Sequence, residues 1–346
     1  LEIDTPEKLL RVLSDCLAQH CPEKPDVALA LSGGIDSMVL LDVLTKRNAL
    51  PPKGGLHRNE GPRVVLRAIH VNHGVSRNAD AWAQFCVEEC SKRDVPITVE
   101  IVNVDRRSGL GLEAAAREAR YAALIKSDAK FILVAQHQTD QAETVLHQML
   151  RGTGLQGLAG MGEARELRSG QMLLRPLLNV SRDDIEKYAK DNQLKWIEDE
   201  SNDDTTYTRN YIRHDIVPVI ASRFPHYASS LERIARHAHE SAELNEALAK
   251  MDLKLCGADA FSVAFADALD TLPLPRQINA LYHWLRWQKV APASRDQLEA
   301  WASQLFRVPP DGKPHLAGGH DYVIRRHRNV LTCEKIADAK TDVKLD

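Results

Sequence analysis

The chain of 346 residues carries 45 Lys and Arg against 48 Asp and Glu, a net charge of −3, with 44% hydrophobic and 27% charged residues. This composition belongs to a folded protein of two or three domains rather than a disordered chain, and no apolar run approaches the roughly 20 residues that span a bilayer. The segment Leu1 to Pro6 lacks the basic and then apolar pattern of a secretory signal, and the six cysteines are too scattered for a zinc site, so a cytoplasmic protein with reduced thiols and no membrane partner is expected.

Residues 5–20 predict a leading helix, and CPEKPD breaks it before a buried strand at Val27 to Leu31. The motif SGGIDS follows at 32–37 and opens a helix that runs to about residue 47; NALPPKGGLHRNEGP is then an exposed connection. Further strands are predicted at VVLRAIHV (64–71), ITVEIVNV (97–104) and KFILVAQ (130–136). The helices between them are Asn78 to Asp94, with Trp82, Phe85 and Cys86 on one face, and LEAAAREARYAALIKSD, whose alanines permit close packing on a sheet. QAETVLHQML is the next helix. Strands alternating with helices argue for an α/β fold, a mostly parallel sheet with helices on both faces, in which ligands sit beyond the carboxyl ends of the strands. After the helix DDIEKYAKDN, the segment WIEDESNDDTTYTRN closes a first domain, taken as 1–222. A long helix leads into a smaller helical domain, 223–346, with periodicity around Leu281, Trp284, Leu285 and Trp287. Charge is segregated there: Glu240 to Asp270 is net −5 and Arg276 to Val330 net +5, including Arg325, Arg326 and Arg328. That basic stretch is either a surface for a nucleic-acid backbone or a solvated face.

Strand, SGGIDS, then helix is the geometry of an anion site, because loop amides and the first turn of a helix converge on negative charge. Gly33 and Gly34 permit the turn and the close approach of phosphate oxygens, and Ser32 and Ser37 offer hydroxyl donors. Asp36 repels phosphate, so its natural role is through Mg²⁺, which takes carboxylate and phosphate oxygens together. No lysine is present, so this is not a Walker loop, and the site is compatible with attack at the α-phosphate of a nucleotide. Two further polar clusters end strands: His70, His73 and Arg77 after the second, and His137, Asp140 and Glu143 after the fourth, the last two at the i, i+3 spacing of one helix face. His70 and His73 are too close for the zinc helix motif. Arg117 and Arg151 either meet the nucleotide and a polyanionic substrate or are surface arginines. The Gly152, Gly154, Gly157 pattern follows a helix rather than the first strand, so it reads as a substrate-facing loop, not a dinucleotide fingerprint.

With SGGIDS, HVNHGVSRN (70–78), LEAAAREARY (112–121), QHQTDQAET (136–144), RGTGLQGLAGM (151–161), RPLL (175–178) and EDESNDDTTYTRNYIRHDIVP (198–218) in view, the chain resembles the bacterial tRNA(Ile)-lysidine synthases. These belong to the PP-loop ATP pyrophosphatases, an adenine nucleotide alpha hydrolase-like class. The resemblance implies a ligase that uses ATP and Mg²⁺ to adenylylate the wobble cytidine of a CAU-anticodon isoleucine tRNA, after which free L-lysine displaces AMP to give lysidine. It further implies that Ser32, Gly33, Gly34, Ile35, Asp36 and Ser37 take the phosphates, that adenine packs near Ala68 to His70, and that Asp36 and Asp140 serve Mg²⁺ or the reacting centre. Arg117 then approaches the activated intermediate, Asp140 or Glu143 serves the lysine amine, and Arg151, Arg209, Tyr211 and Arg213 are available to the RNA. Gln136 and Thr139 depart from the pattern, which has an acid beside Asp140, and larger members carry a further C-terminal domain. A tRNA thiolase of the same class and a noncatalytic RNA-binding protein are the rivals, and whether two chains associate is left open.

Overall fold

A computed structural model describes residues 4–21, 25–49, 63–74, 76–104, 112–200, 204–255, 264–290, 293–306, 315–318, 322–327 and 329–335. In chain order the elements are α1 (Thr5–His20), β1 (Asp26–Ala30), α2 (Ile35–Ala49), β2 (Val65–Asn72), α3 (Ala79–Ser91), β3 (Ile97–Ile101), α4 (Leu112–Lys126), β4 (Phe131–Leu133), α5 (Gln138–Leu150), α6 (Leu155–Leu158), β5 (Ala164–Arg168), β6 (Gln171–Leu174), α7 (Arg182–Asp191) and α8 (Thr208–Tyr211). A π-helical turn, Ile212–Ile216, joins α8 to α9 (Val217–Arg223). Then come α10 (Tyr227–Leu255), β7 (Ala264–Phe265), α11 (Ala266–Asp270), α12 (Leu274–Trp287), α13 (Arg295–Phe306), β8 (His315–Gly318), β9 (Tyr322–His327) and β10 (Val330–Lys335). The chain divides into two compact units, Leu1–Ala238 and His239–Asp346, so the division falls inside α10 rather than at the 222/223 boundary expected from sequence. Among the described residues no helix is long and apolar enough to cross a membrane.

The first unit is built on a six-stranded sheet of order β3-β2-β1-β4-β6-β5, parallel except for the edge strand β5, which runs antiparallel to β6. Alternate residues of β1 feed the two faces: Val27 and Leu29 join a core with Leu9, Leu13, Met38, Leu41 and Tyr188, while Ala28 packs on the other face with Ile69, Leu124, Ile132 and Leu173. Local chemistry sets the helix ends. Asp4 caps α1 by accepting from the Thr5 amide at 2.9 Å, and Ser181 caps α7 through the Asp184 amide at 3.2 Å. The order places β1 between β2 and β4. The chain runs outward from β1 through β2 to β3 and then returns to the far side of β1, so the connections diverge at the β1/β4 boundary, where a parallel sheet opens its crevice.

The second unit is helical, as expected, and adds a four-stranded antiparallel sheet, β7-β10-β9-β8. Its core contains Trp284, Leu281, Leu285, Trp301, Tyr322, Ile324 and Leu331; Trp284 and Trp301 are thus packing residues, with Trp287 at the margin. The basic stretch is partly consumed by this fold. Arg326 is buried on β9, donating to the Leu305 and Phe306 carbonyls and pairing with Asp267, and Arg325 pairs with Glu334 at 3.0 Å. Arg328 lies outside the described residues.

Candidate active site

The loop after β1 is held from within and from one neighbour. Gly33 has φ +87°, and a Cβ there would lie 2.5 Å from Ile197 Cδ1 and 3.1 Å from Cys86 Sγ, so both the turn and the packing demand glycine. The Ile197 amide donates to the Gly33 carbonyl at 2.9 Å. Ser37 Oγ accepts from the Gly33 amide at 3.1 Å and donates to the Gly34 carbonyl at 2.9 Å. Its single proton is therefore used inside the loop, which makes Ser32 the donor in the 3.1 Å contact between the two hydroxyls. Ser37 braces the turn, whereas Ser32 is exposed at its mouth. The side chain of Ile35 joins the core. Its amide and that of Asp36 belong to the first turn of α2, where backbone donors have no intrahelical acceptor.

The loop after β4 supplies the second half. His137 caps α5: its Nδ1 accepts from the Thr139 amide at 3.2 Å, and the Asp140 carboxylate accepts from the His137 amide at 3.0 Å. An accepting Nδ1 places a ring proton on Nε2. That nitrogen faces Asp36 Oδ1 and Asp140 Oδ2, each at 3.6 Å, so one buried histidine bridges the carboxylates that end β1 and β4. Arg182, the first residue of α7, pairs with Asp36 at 2.8 Å. The acids differ in proton affinity. Burial raises the Asp36 pKa despite His137 and Arg182; for Asp140, burial is outweighed by His137, Arg209, the His137 amide and Arg213, and the pKa falls. Among the described residues no group of three or more His, Cys, Asp or Glu could hold a metal ion, so a cation here would draw on two carboxylates and on oxygens of a bound nucleotide. Such a donor set fits magnesium and does not fit zinc.

Glu143 lies one turn along from Asp140, as the spacing predicts, but its side chain is fully buried. Arg213 donates to both of its oxygens, at 2.7 and 2.9 Å, and Arg209 to one at 3.2 Å; Arg209 and Arg213 also reach Asp140 Oδ1 at 2.9 and 3.3 Å. Glu143 is thus the anchor of two arginines rather than an open acid. The π-helical turn carries Arg213 into this position one turn after Arg209, a local irregularity of the kind found at functional sites.

Other expected residues are placed elsewhere. Ala68 is fully buried in β2, and His70 is buried with Nδ1 2.9 Å from the Leu31 carbonyl, its pKa lowered by burial, so the ring is neutral and donates there. Arg117 is exposed on α4 against Tyr121, and Arg151 is exposed at the end of α5. Gln141 exchanges two hydrogen bonds with the Met161 backbone, at 2.8 and 2.9 Å, tying the glycine loop to α5. Gln136, one of the departures, accepts from buried Arg175 at 2.5 Å. Sequence reading gave no role to Arg182 or Ile197. Nothing near them in the chain signals that α7 and the segment before residue 200 return to the first loop, and the Ser181 cap reveals only a helix start.

A PP-loop domain family matches residues 4–220, and a TilS substrate binding domain family matches residues 266–332. The tRNA(Ile)-lysidine synthase of Chromobacterium violaceum is 41% identical over 281 residues, covering 79% of this chain and 61% of its own. Those of Pseudomonas fluorescens and Histophilus somni are 39% and 35% identical, covering 92% and 98% of this chain and 71% and 76% of theirs. The chain spans only 61% and 58% of the lengths of the Chromobacterium violaceum and Azoarcus relatives. Among solved structures, a U34-tRNA thiolase from Methanococcus maripaludis is similar with a TM-score of 0.53 at 18% identity, covering 68% of this chain and 80% of that one, a likeness of fold alone.

Proposed function

The chain belongs to the tRNA(Ile)-lysidine synthase family, and from that premise we propose that it ligates free L-lysine to the wobble cytidine of a CAU-anticodon isoleucine tRNA at the expense of ATP. The observation that carries this reading is the convergence of Asp36 and Asp140 on His137 at the strand-order reversal, directly beside a glycine loop with free first-turn amides. In the proposed reaction the cytidine O2 attacks the α-phosphorus, the bond to the β-phosphate breaks and pyrophosphate leaves. An amine of lysine then bonds to C2 and loses a proton, and the C2–O bond breaks to release AMP.

The residues divide the work. The first-turn amides of Ile35 and Asp36 receive the outer phosphates, whose departing charge they stabilise, and the Ser32 hydroxyl joins them by turning its proton from Ser37 to a phosphate oxygen. Asp36 and Asp140 would hold Mg²⁺, which when bound neutralises the phosphate oxygens and the leaving pyrophosphate. His137 keeps the two carboxylates in register, with Arg182 paired to Asp36 and Arg209 to Asp140. Arg213 and Glu143 hold Arg209 in place. Free lysine and cytoplasmic residence belong to the same proposal.

A thiolase reading is disfavoured by the described cysteines of the first unit. Cys16, Cys21, Cys86 and Cys90 are buried, and burial pushes the thiols of Cys21 and Cys90 up to about 11 and that of Cys86 to about 12, the reverse of what a nucleophilic sulfur needs. The test is incubation with ATP, Mg²⁺, labelled lysine and the CAU-anticodon tRNA: AMP and a lysine-bearing cytidine are expected, with elongator methionine tRNA left unmodified. Folded protein that forms AMP but incorporates no lysine overturns the assignment.

A further inference from the structure

We propose that Arg117, Arg120 and Arg165, gathered around Tyr121, form a docking site for the phosphate backbone of single-stranded or loop RNA, separate from the nucleotide loop. The inference rests on the tRNA reading above and assigns a surface to it. Arg117 and Arg120 project from one turn of α4 and Arg165 from the edge strand β5, three arginines brought together by the fold and not by any single motif. The Arg117 and Arg165 guanidiniums lie 5.1 and 5.9 Å from the Tyr121 ring centroid, Arg117 donates to the Tyr121 hydroxyl at 3.3 Å, and Arg120 reaches His73 at 3.4 Å. The ring itself is fixed by packing on the Ala28, Ile69 and Leu173 side of the core.

Gathering like charges costs free energy, and the cost is visible in the buried neighbour. Arg175 sits behind the cluster; burial lowers its pKa, and Arg165 and Arg117 lower it further against the opposing effect of Tyr121. Burial lowers the pKa of Arg120, and Arg117 lowers it further, while Tyr121 and Asp199 oppose them. A polyanion relieves such strain by adding charge of the opposite sign. The combination of guanidinium planes and one aromatic is also the surface that single-stranded nucleic acid uses, with phosphates on the cations and bases stacked on the planar groups. Position favours RNA over the nucleotide. The 32–37 loop already supplies the amides for ATP, while Arg209, which pairs with Asp140, lies close enough to repel Arg120, so the cluster adjoins the crevice without lining it.

The test is equilibrium binding of the CAU-anticodon tRNA to the full chain across a salt series, for the wild type, Arg165→Ala, Arg165→Lys and, as a charge-matched control on α7, Lys187→Ala. Arg165→Ala is expected to weaken binding about 5- to 10-fold and to reduce the slope of log K against log salt by about 0.7–0.9, the loss of one phosphate contact. Arg165→Lys should retain the slope, and Lys187→Ala should change neither quantity. Arg165 is exposed, so matching melting curves establish that the variants fold. An unchanged slope in Arg165→Ala, or an equal loss in Lys187→Ala, overturns the inference while leaving the tRNA reading intact. A loss of ATP affinity that matches the loss of RNA affinity assigns the arginines to the nucleotide and overturns it too. A wild-type chain that binds no RNA removes the functional reading along with it.

Discussion

In the first unit, Asp36 and Asp140 keep part of their surface open at the end of the sheet while arginines reach them from α7 and from the 208–216 segment. In the second unit, the Asp252 side chain is fully buried beneath Arg276, and Arg326 is turned inward onto Asp267 and two helix-end carbonyls. Both units hold ion pairs, but topology gives the pairs different fates. A parallel sheet whose strand order reverses leaves a crevice that side chains rim without filling, whereas an antiparallel sheet backed by helices closes over its charges. Charge in a sequence therefore marks neither a site nor a surface until the strand order is known. The segment from Arg276 to Val330 shows this: its net positive charge suggests a polyanion surface, and the fold diverts part of it into the interior.

The largest effect expected from breaking this contrast is at Asp36. Asp36→Asn should reduce turnover by about 10²–10³-fold or more, since it removes a charge at the proposed reacting centre, while the melting curve stays close to wild type. Retained turnover in the Asn variant would place the chemistry elsewhere. Next come the two buried carboxylates, each of which loses its charged pairing with arginine when neutralised. Glu143→Gln and Asp252→Asn should each cost about 3 kcal/mol of stability, read by urea unfolding. Only Glu143→Gln should also lower turnover below its melting temperature, because Arg209 and Arg213 lose their anchor. Equal activity in both variants would dissolve the distinction between the crevice and the closed core.

Gly33→Ala follows, at about 1–3 kcal/mol with a raised KM for ATP, because alanine resists the positive φ and its methyl meets Ile197. Adding Ile197→Ala should restore the part due to the clash and not the part due to φ. This pair of effects also shows what the sequence could reveal. The strands, most helices and the glycine loop were legible because apolar periodicity and the strand–SGGIDS–helix order are local. The i, i+3 spacing of Asp140 and Glu143 was legible too, but not the difference in their exposure. That difference arises from Arg209 and Arg213, more than sixty positions away in the chain. Ile197 and Arg182 escaped for the same reason, and the second sheet because β8, β9 and β10 are short strands without clear alternation.

The smallest effect concerns two histidines, half-buried His73 in the first unit and buried His283 in the second. Burial, with Arg120 and His70 beside it, lowers the pKa of His73 from 6.5 to about 4, and burial lowers that of His283 as well, against the pull of Glu246. A histidine whose folded pKa is depressed binds fewer protons in the folded than in the unfolded state. Its stability contribution is intact above the unfolded pKa and is lost as pH falls from there through the folded value. For His73 the window is the interval from 6.5 down to about 4. Going from about pH 7.5 to about pH 5 should therefore cost the first unit about 1 kcal/mol through His73, once screening of a partly exposed ring is allowed for. His73→Asn should remove that part of the pH dependence. The second unit reports separately, because Trp284, Trp287 and Trp301 lie there while Trp82 and Trp196 lie in the first, so His283→Gln should flatten the acid loss seen from its tryptophans. If acid destabilises the first unit equally in the His73→Asn variant, the proton is taken up elsewhere, and the neighbours of His73, Arg120 with it, are less crowded by positive charge than their positions imply.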